Sequence, residues 1–222
     1  MDTIQPKKSL VEETYDILVD AICLQELKPG ERLNQDEIAA KLNISRQPVN
    51  SAIAILKADD LVKDTGRRGV VVSPIDPDLA RSIYEYRMMV EPFSIELAID
   101  KLPDDARIAA DEVLRRGRIA VKNFDVRGLL SADKDFHTLI YFWGNNRIVQ
   151  KSMQVTWHHI RRTMAQVLID PERVGPVWDE HALIFDSLFE GNKEIAARRM
   201  REHLQNGYAR NFGEKSLRAE IS

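Results

Sequence analysis

Four residues have the types and spacing that metal binding would use: Asp133, His137, His181 and His203. Asp133 and His137 lie four residues apart, so on a helix they leave the same face as Leu130 and Ile140. His181 sits in a stripe with Val177, Ile184 and Leu188, and His203 in one with Ala196, Met200 and Gly207. Each stripe therefore places ionisable residues where apolar ones belong. A single core histidine is commonly satisfied by a nearby carbonyl. Three histidines and an aspartate on three helices facing one core are harder to place, because burying them unpaired costs several kcal/mol. A divalent cation would neutralise the carboxylate and accept all three imidazole nitrogens. Zinc suits this donor set first; nickel, cobalt or manganese could also use it, with positions open for water or a ligand. His158 and His159 are adjacent, cannot share a helix face, and are read as non-ligands. Arg87 lies near an inner face, where it could meet the carboxylate of a small effector. An i, i+4 salt bridge to Glu91 accounts for it equally well.

Such a site can also activate water or oxygen, as in a metal-dependent enzyme, or simply hold a domain together without an effector. No separate general base or nucleophile pairs with these residues, so an enzyme is not expected.

The stretch Asn34–Lys57 offers a different chemistry. Asn34 with Glu37 can cap a short helix, and Asn43 tolerates the left-handed conformation that would end it. Ser45 then caps a second helix with Pro48 in its first turn. Val49, Ala52, Ile53 and Leu56 form one buried face, which leaves Arg46, Gln47, Asn50, Ser51 and Lys57 on the other. From Lys41 to Lys57 there is no acidic residue. The first turn would present free N–H groups to phosphates, Arg46 could fork onto guanine, and Gln47 or Asn50 could pair with adenine. An ordinary helical hairpin with a solvated face is the plain alternative.

The flanking elements favour the nucleic-acid reading. Ser9 and Glu12 make a capping box for an earlier helix with Val11, Tyr15, Leu18 and Ile22 on one stripe. After the helix pair, Leu61-Val62-Lys63 and Val70-Val71-Val72 read as a hairpin with Arg67 and Arg68 at its tip. Three helices and a hairpin make a winged helix, whose wing arginines could reach a phosphate or the minor groove. Asp76 and Pro77 open a second region in which everything is helical in pattern. Its helices are expected from Pro77 with a kink at Pro92, from Pro103-Asp104 to Asn123, and over Val126–Trp143 and Arg147–Leu168. Two more follow, over Val177–Glu190 after a loop at Gly175-Pro176 and from Lys193 towards Phe212. The fold class expected is mostly α. A winged helix-turn-helix over residues 1–75 precedes an all-α, six-helix antiparallel bundle over 76–222.

Composition excludes several classes. The net charge of −3 over 222 residues argues against coating nucleic acid by bulk charge, but not against a local basic patch. One cysteine, Cys23, excludes an internal disulfide framework and is read as a core residue. There is no N-terminal apolar run and no stretch of about 18 apolar residues, so a cytoplasmic protein without a membrane partner is expected.

On these residues the chain resembles the GntR transcriptional regulators, within them the FadR-like group with an all-helical FCD domain. LKPGERL and DEIAAKLNISRQPVNSAIAILKADDLV are similar to the family's winged-helix signature. Asp133–His137, WDEHALIFDSLFEGN with His181 and ARRMREHL with His203 are similar to the FCD metal motif. The resemblance covers about residues 9–210, and the six-helix count is that of the VanR-type branch. It implies a homodimeric regulator, repressor or activator, on a pseudo-palindromic double-stranded DNA operator. It also implies a divalent metal at Asp133, His137, His181 and His203, and a small organic acid as effector. Arg46 matches the family's base-contacting arginine. Asn50 stands where arginine is usual and Ser51 where glutamate is usual, so the operator sequence is not carried over. Arg67 and Arg68 could restore phosphate anchoring.

Overall fold

The computed structural model describes residues 8–66, 69–167 and 171–213. The chain forms two compact units, Met1–Ile75 and Asp76–Ser222. Among the described residues no helix is long and apolar enough to cross a membrane.

The first unit holds α1 (Leu10–Cys23), α2 (Gln35–Leu42), α3 (Arg46–Ala58), β1 (Val62–Asp64) and β2 (Val70–Val72). Ser9 starts α1 with a complete capping box. Its hydroxyl accepts from the Glu12 amide at 3.2 Å, and its own amide donates to the Glu12 carboxylate at 2.8 Å. Asn34 caps α2 by accepting from the Asp36 amide, but Glu37 returns its bond to the Asn34 side-chain amide. Asn43 ends α2 in the left-handed conformation, φ 53 and ψ 45. Ser45 occupies the position before α3, yet its hydroxyl makes no capping bond, contrary to the expected cap. α1 packs on α3, and Leu18, Ile22, Cys23, Val49, Ile53 and Leu56 share a core with Leu61 and Val72. β1 and β2 are antiparallel, with Val62 opposite Val72. The other edge of β2 is taken by the segment before α2, where Leu33 N donates to Val70 O and Val72 N to Glu31 O. The Lys28–Glu31 turn thus continues into a short edge that ties the hairpin to the body. Arg67 and Arg68 lie outside the described residues.

The second unit holds α4 (Pro77–Ile99), α5 (Ala106–Asn123), α6 (Val126–Gly144), α7 (Arg147–Val167), α8 (Pro171–Phe189) and α9 (Lys193–Phe212). Asp76 caps α4 by accepting from the Asp78 and Leu79 amides, with Pro77 in the first turn. α4 runs through Pro92, which is buried. Helix α5 begins at Ala106 rather than at Pro103-Asp104, where a single turn precedes it. The largest departure is α8: the expected loop at Gly175-Pro176 is helical, and the helix starts at Pro171. Pro176 forfeits one backbone bond, but buried Val174, Val177 and Trp178 hold that turn against the core. α4 packs against α6, α7 and α9, α5 against α6 and α8, and α8 against α9. This arrangement turns α6, α8 and α9 towards a shared interior.

Candidate functional site

In the first unit, α3 buries Val49, Ala52, Ile53 and Leu56 and leaves Arg46, Gln47 and Asn50 exposed. Ser45 is exposed as well. The first turn of α3 contains no acid, and with the Ser45 hydroxyl making no cap its N–H groups suit an oxyanion. One acid does reach this face: Asp36 of α2 lies 3.0 Å from Arg46. Sequence spacing missed it because Asp36 precedes the acid-free stretch and arrives across the turn.

In the second unit, Asp133, His137, His181 and His203 come together. Donor atoms of the three histidines lie within 4.8 Å of one another, and all three rings are buried. His181 Nε2 is 3.4 Å from His203 Nε2 and 3.5 Å from Asp133 Oδ1. Those two spacings match the edge of a coordination shell with bonds of about 2.1 Å. His158 and His159 are not in the cluster.

Two carboxylates fix the imidazoles from behind: Glu91, read from the sequence only as a partner of Arg87, and Glu180, which the sequence reading did not single out. His137 Nδ1 donates to Glu91 Oε2 at 2.6 Å, and His203 Nδ1 donates to Glu180 Oε2 at 2.8 Å. Arg87 Nη2 lies 3.2 Å from His137 Nε2, and a guanidinium can only donate. His137 therefore carries its proton on Nδ1, and its Nε2 lone pair accepts from Arg87, a bond that a cation at this nitrogen would replace. A histidine oriented by a carboxylate in this way is the usual arrangement behind a bound metal. Glu180 also accepts from Asn206 at 3.0 Å and from Arg210. The signals were faint: Glu91 is four residues from Arg87, and Arg210 is two turns beyond His203. Glu180 adjoins His181 and so points away from its stripe.

Arg87 makes the expected salt bridge to Glu91. Its Nε donates to Glu91 at 2.5 Å, and its guanidinium lies 5.3 Å from the Tyr84 ring centre and 5.4 Å from that of Trp157. It also lines a cavity of about 30 Å³ with Tyr84, Asp133, His137, His203 and Arg210. That volume admits about one or two waters.

The electrostatics of the cluster are unbalanced. Among the described residues, both Asp133 oxygens and His181 Nδ1 are buried without a hydrogen-bond partner; the 3.5 Å approach of His181 Nε2 is too long to serve as one. Burial lowers the proton affinity of His181 well below its usual value, helped by His203, His137 and Arg87. Burial also lowers His137, against the opposing pull of Glu91. Burial would raise Glu91, but Arg87 and His137 hold it below the ordinary carboxylate range. Glu180 is held down likewise, by His203 and Arg210 against burial. The interior thus gathers three imidazoles around the Asp133 carboxylate, which is a donor set a divalent cation satisfies.

Packing fixes the rings. Phe136 stacks on His181 with centroids 3.8 Å apart, and Trp178 meets His181 edge-on at 4.9 Å. Gly117 of α5 makes room for Trp178, because a β-carbon there would lie 2.1 Å from the indole.

Residues 10–72 match the gntR family of bacterial regulatory proteins, and residues 82–206 match the FCD domain. An HTH-type transcriptional regulator in an unstable DNA locus of Streptomyces ambofaciens is 30% identical over 197 residues, 87% of this chain and 81% of that protein. The HTH-type transcriptional repressor RspR of Escherichia coli strain K12 is 24% identical, covering 91% of this chain and 89% of its own. A crystal structure of a GntR transcriptional regulator from Rhodococcus sp. RHA1 superposes with a TM-score of 0.79 at 27% identity, over 93% of this chain and 99% of that one. The chain belongs to the GntR family: it is a transcriptional regulator, not an enzyme, with an N-terminal DNA-binding domain and a C-terminal FCD domain.

Proposed function

We propose that this regulator is a metabolite-responsive repressor that works as a homodimer, with a divalent cation and a small organic acid held in its helical unit. The observation that carries the cation is the Asp133 carboxylate, buried without a donor among three imidazoles. Asp133, His137, His181 and His203 would hold the ion, and zinc suits them first. When bound, the ion supplies a Lewis-acid anchor for an anionic ligand.

The protein's own residues do the rest. Glu91 and Glu180 keep His137 and His203 protonated on Nδ1, so that Nε2 faces inwards. Arg87 and Arg210, each paired with a glutamate, line the cavity, where their guanidinium groups would meet a carboxylate effector. The cavity is narrow, with room for about one or two waters, so an organic acid would favour a state in which the surrounding helices stand further apart. Binding shifts a conformational equilibrium only if the two states differ in affinity for the ligand, and this need for space supplies such a difference.

On DNA, α3 enters the major groove with Arg46 forking onto a base, Gln47 and Asn50 reading others, and Ser45, Arg67 and Arg68 meeting phosphates. A homodimer would place two such helices on the half-sites of a pseudo-palindrome. The relative RspR is named a repressor, and repression is the sense proposed here. The deciding experiment is a thermal-shift screen of small organic acids on metal-loaded protein, followed by operator binding with each hit. A hit that raises Tm and releases DNA supports the reading. A protein stabilised by metal but by no acid would leave a structural metal domain without an effector.

A further inference from the structure

Arg46 is exposed at the first position of α3, yet it is not unattended. Its Nε lies 3.0 Å from Oδ1 of Asp36, with the two side chains 61% and 68% exposed. Glu37, the next acid, is turned back onto the Asn34 amide at 2.7 Å. Asp36 is therefore the carboxylate that reaches across the Asn43–Ser45 turn. An exposed pair of this kind contributes little to stability, and a negative charge on a face that meets phosphates weakens binding to any DNA. Its presence calls for a different benefit.

The geometry supplies one. A guanidinium has five N–H donors in a rigid fork. Engaging the Nε side with a carboxylate leaves the Nη1–Nη2 edge for the O6 and N7 acceptors of guanine. We propose that Asp36 is a positioning residue for base reading: it holds the Arg46 guanidinium by its Nε side and so presents the other edge in one orientation. An unheld arginine would lose its rotamer freedom at the moment of binding and could settle on a phosphate instead. The inference rests on the reading of Arg46 as a base contact, and the test separates the two.

The probe is a duplex selected by the wild-type protein from a random-sequence library, with a scrambled duplex of equal length as reference. Affinities for both are measured by fluorescence anisotropy at one salt concentration for wild type, Asp36→Asn, Arg46→Ala and the double variant. Asp36→Asn is expected to lower the ratio of selected to scrambled affinity by about three- to ten-fold. In the Arg46→Ala background the same change is expected to leave the ratio unaltered. If Asp36→Asn tightens both duplexes alike, the carboxylate only repels phosphates and the proposal fails. An equal fall of the ratio in both backgrounds also overturns it, since Asp36 would then act without Arg46. Should Arg46→Ala alone keep the wild-type ratio, the base-contact reading itself falls and takes the proposal with it.

Discussion

Replacing Gly117 by alanine probes how the histidine cluster is buttressed. Gly117 is buried in α5, and a β-carbon there would lie 2.1–2.3 Å from three carbons of the Trp178 ring. Carbon atoms in ordinary contact stand about 3.5–4.0 Å apart, so the indole or the helix must retreat by more than about 1 Å. Trp178 is 2% exposed and rests edge-on against His181, and His181 is itself stacked on Phe136. The displacement is therefore passed to a proposed ligand. Overpacking of this kind costs about 1–3 kcal/mol, and the better helix propensity of alanine returns up to about 1 kcal/mol. A net loss of roughly 1–2 kcal/mol is expected in urea unfolding of chelator-treated protein. The same substitution at Gly175 in α8, where nothing among the described residues lies within 4 Å of the added carbon, makes the control. Gly175→Ala should be neutral or stabilise by up to about 1 kcal/mol. A Gly117→Ala protein as stable as wild type would refute the reasoning.

Asp133→Asn removes a buried charge without donors, so chelator-treated protein should gain about 1–2 kcal/mol while tight cation binding is lost; destabilisation without metal would show that Asp133 is satisfied some other way. Glu180→Gln weakens the hold on His203 and should lower zinc affinity about 10–100-fold with helix content preserved by circular dichroism; unchanged affinity would count against the second carboxylate. Acid sensitivity should develop in two stages in metal-free protein. His137 and His181 are depressed from 6.5 by burial, so the unfolded chain takes up their protons first and stability falls as pH drops below that value. Against burial, Glu91 is held down by Arg87 and His137, and Glu180 by His203 and Arg210, so a further loss begins below 4.5. Unfolding free energy that stays flat from pH 7 to about 5 would contradict the first stage.

Local chemistry made much of the fold legible. Ser9 with Glu12, Asn43 and Asp76-Pro77 mark helix ends through bonds made within a few residues, and those ends fall where the pattern puts them. The four residues Asp133, His137, His181 and His203 were readable because helical periodicity aligns each with apolar neighbours. What stayed hidden depends on contacts between elements. Glu180 is one residue from His181 and on another face, and only the packing of α8 on α9 brings it to His203. Asp36 meets Arg46 because a left-handed Asn43 folds α2 back towards α3. Gly175-Pro176 carries turn residues, yet the burial of Val174, Val177 and Trp178 overrides that preference. Ser45 has a capping residue's identity and position, but its hydroxyl does not close on the helix.

The most direct test is calorimetric titration of chelator-stripped protein with zinc, for wild type and for His181→Ala. The account predicts one high-affinity cation per chain in the wild type and none in the variant. Equal uptake by both proteins, or no uptake by either with any divalent metal, would contradict it.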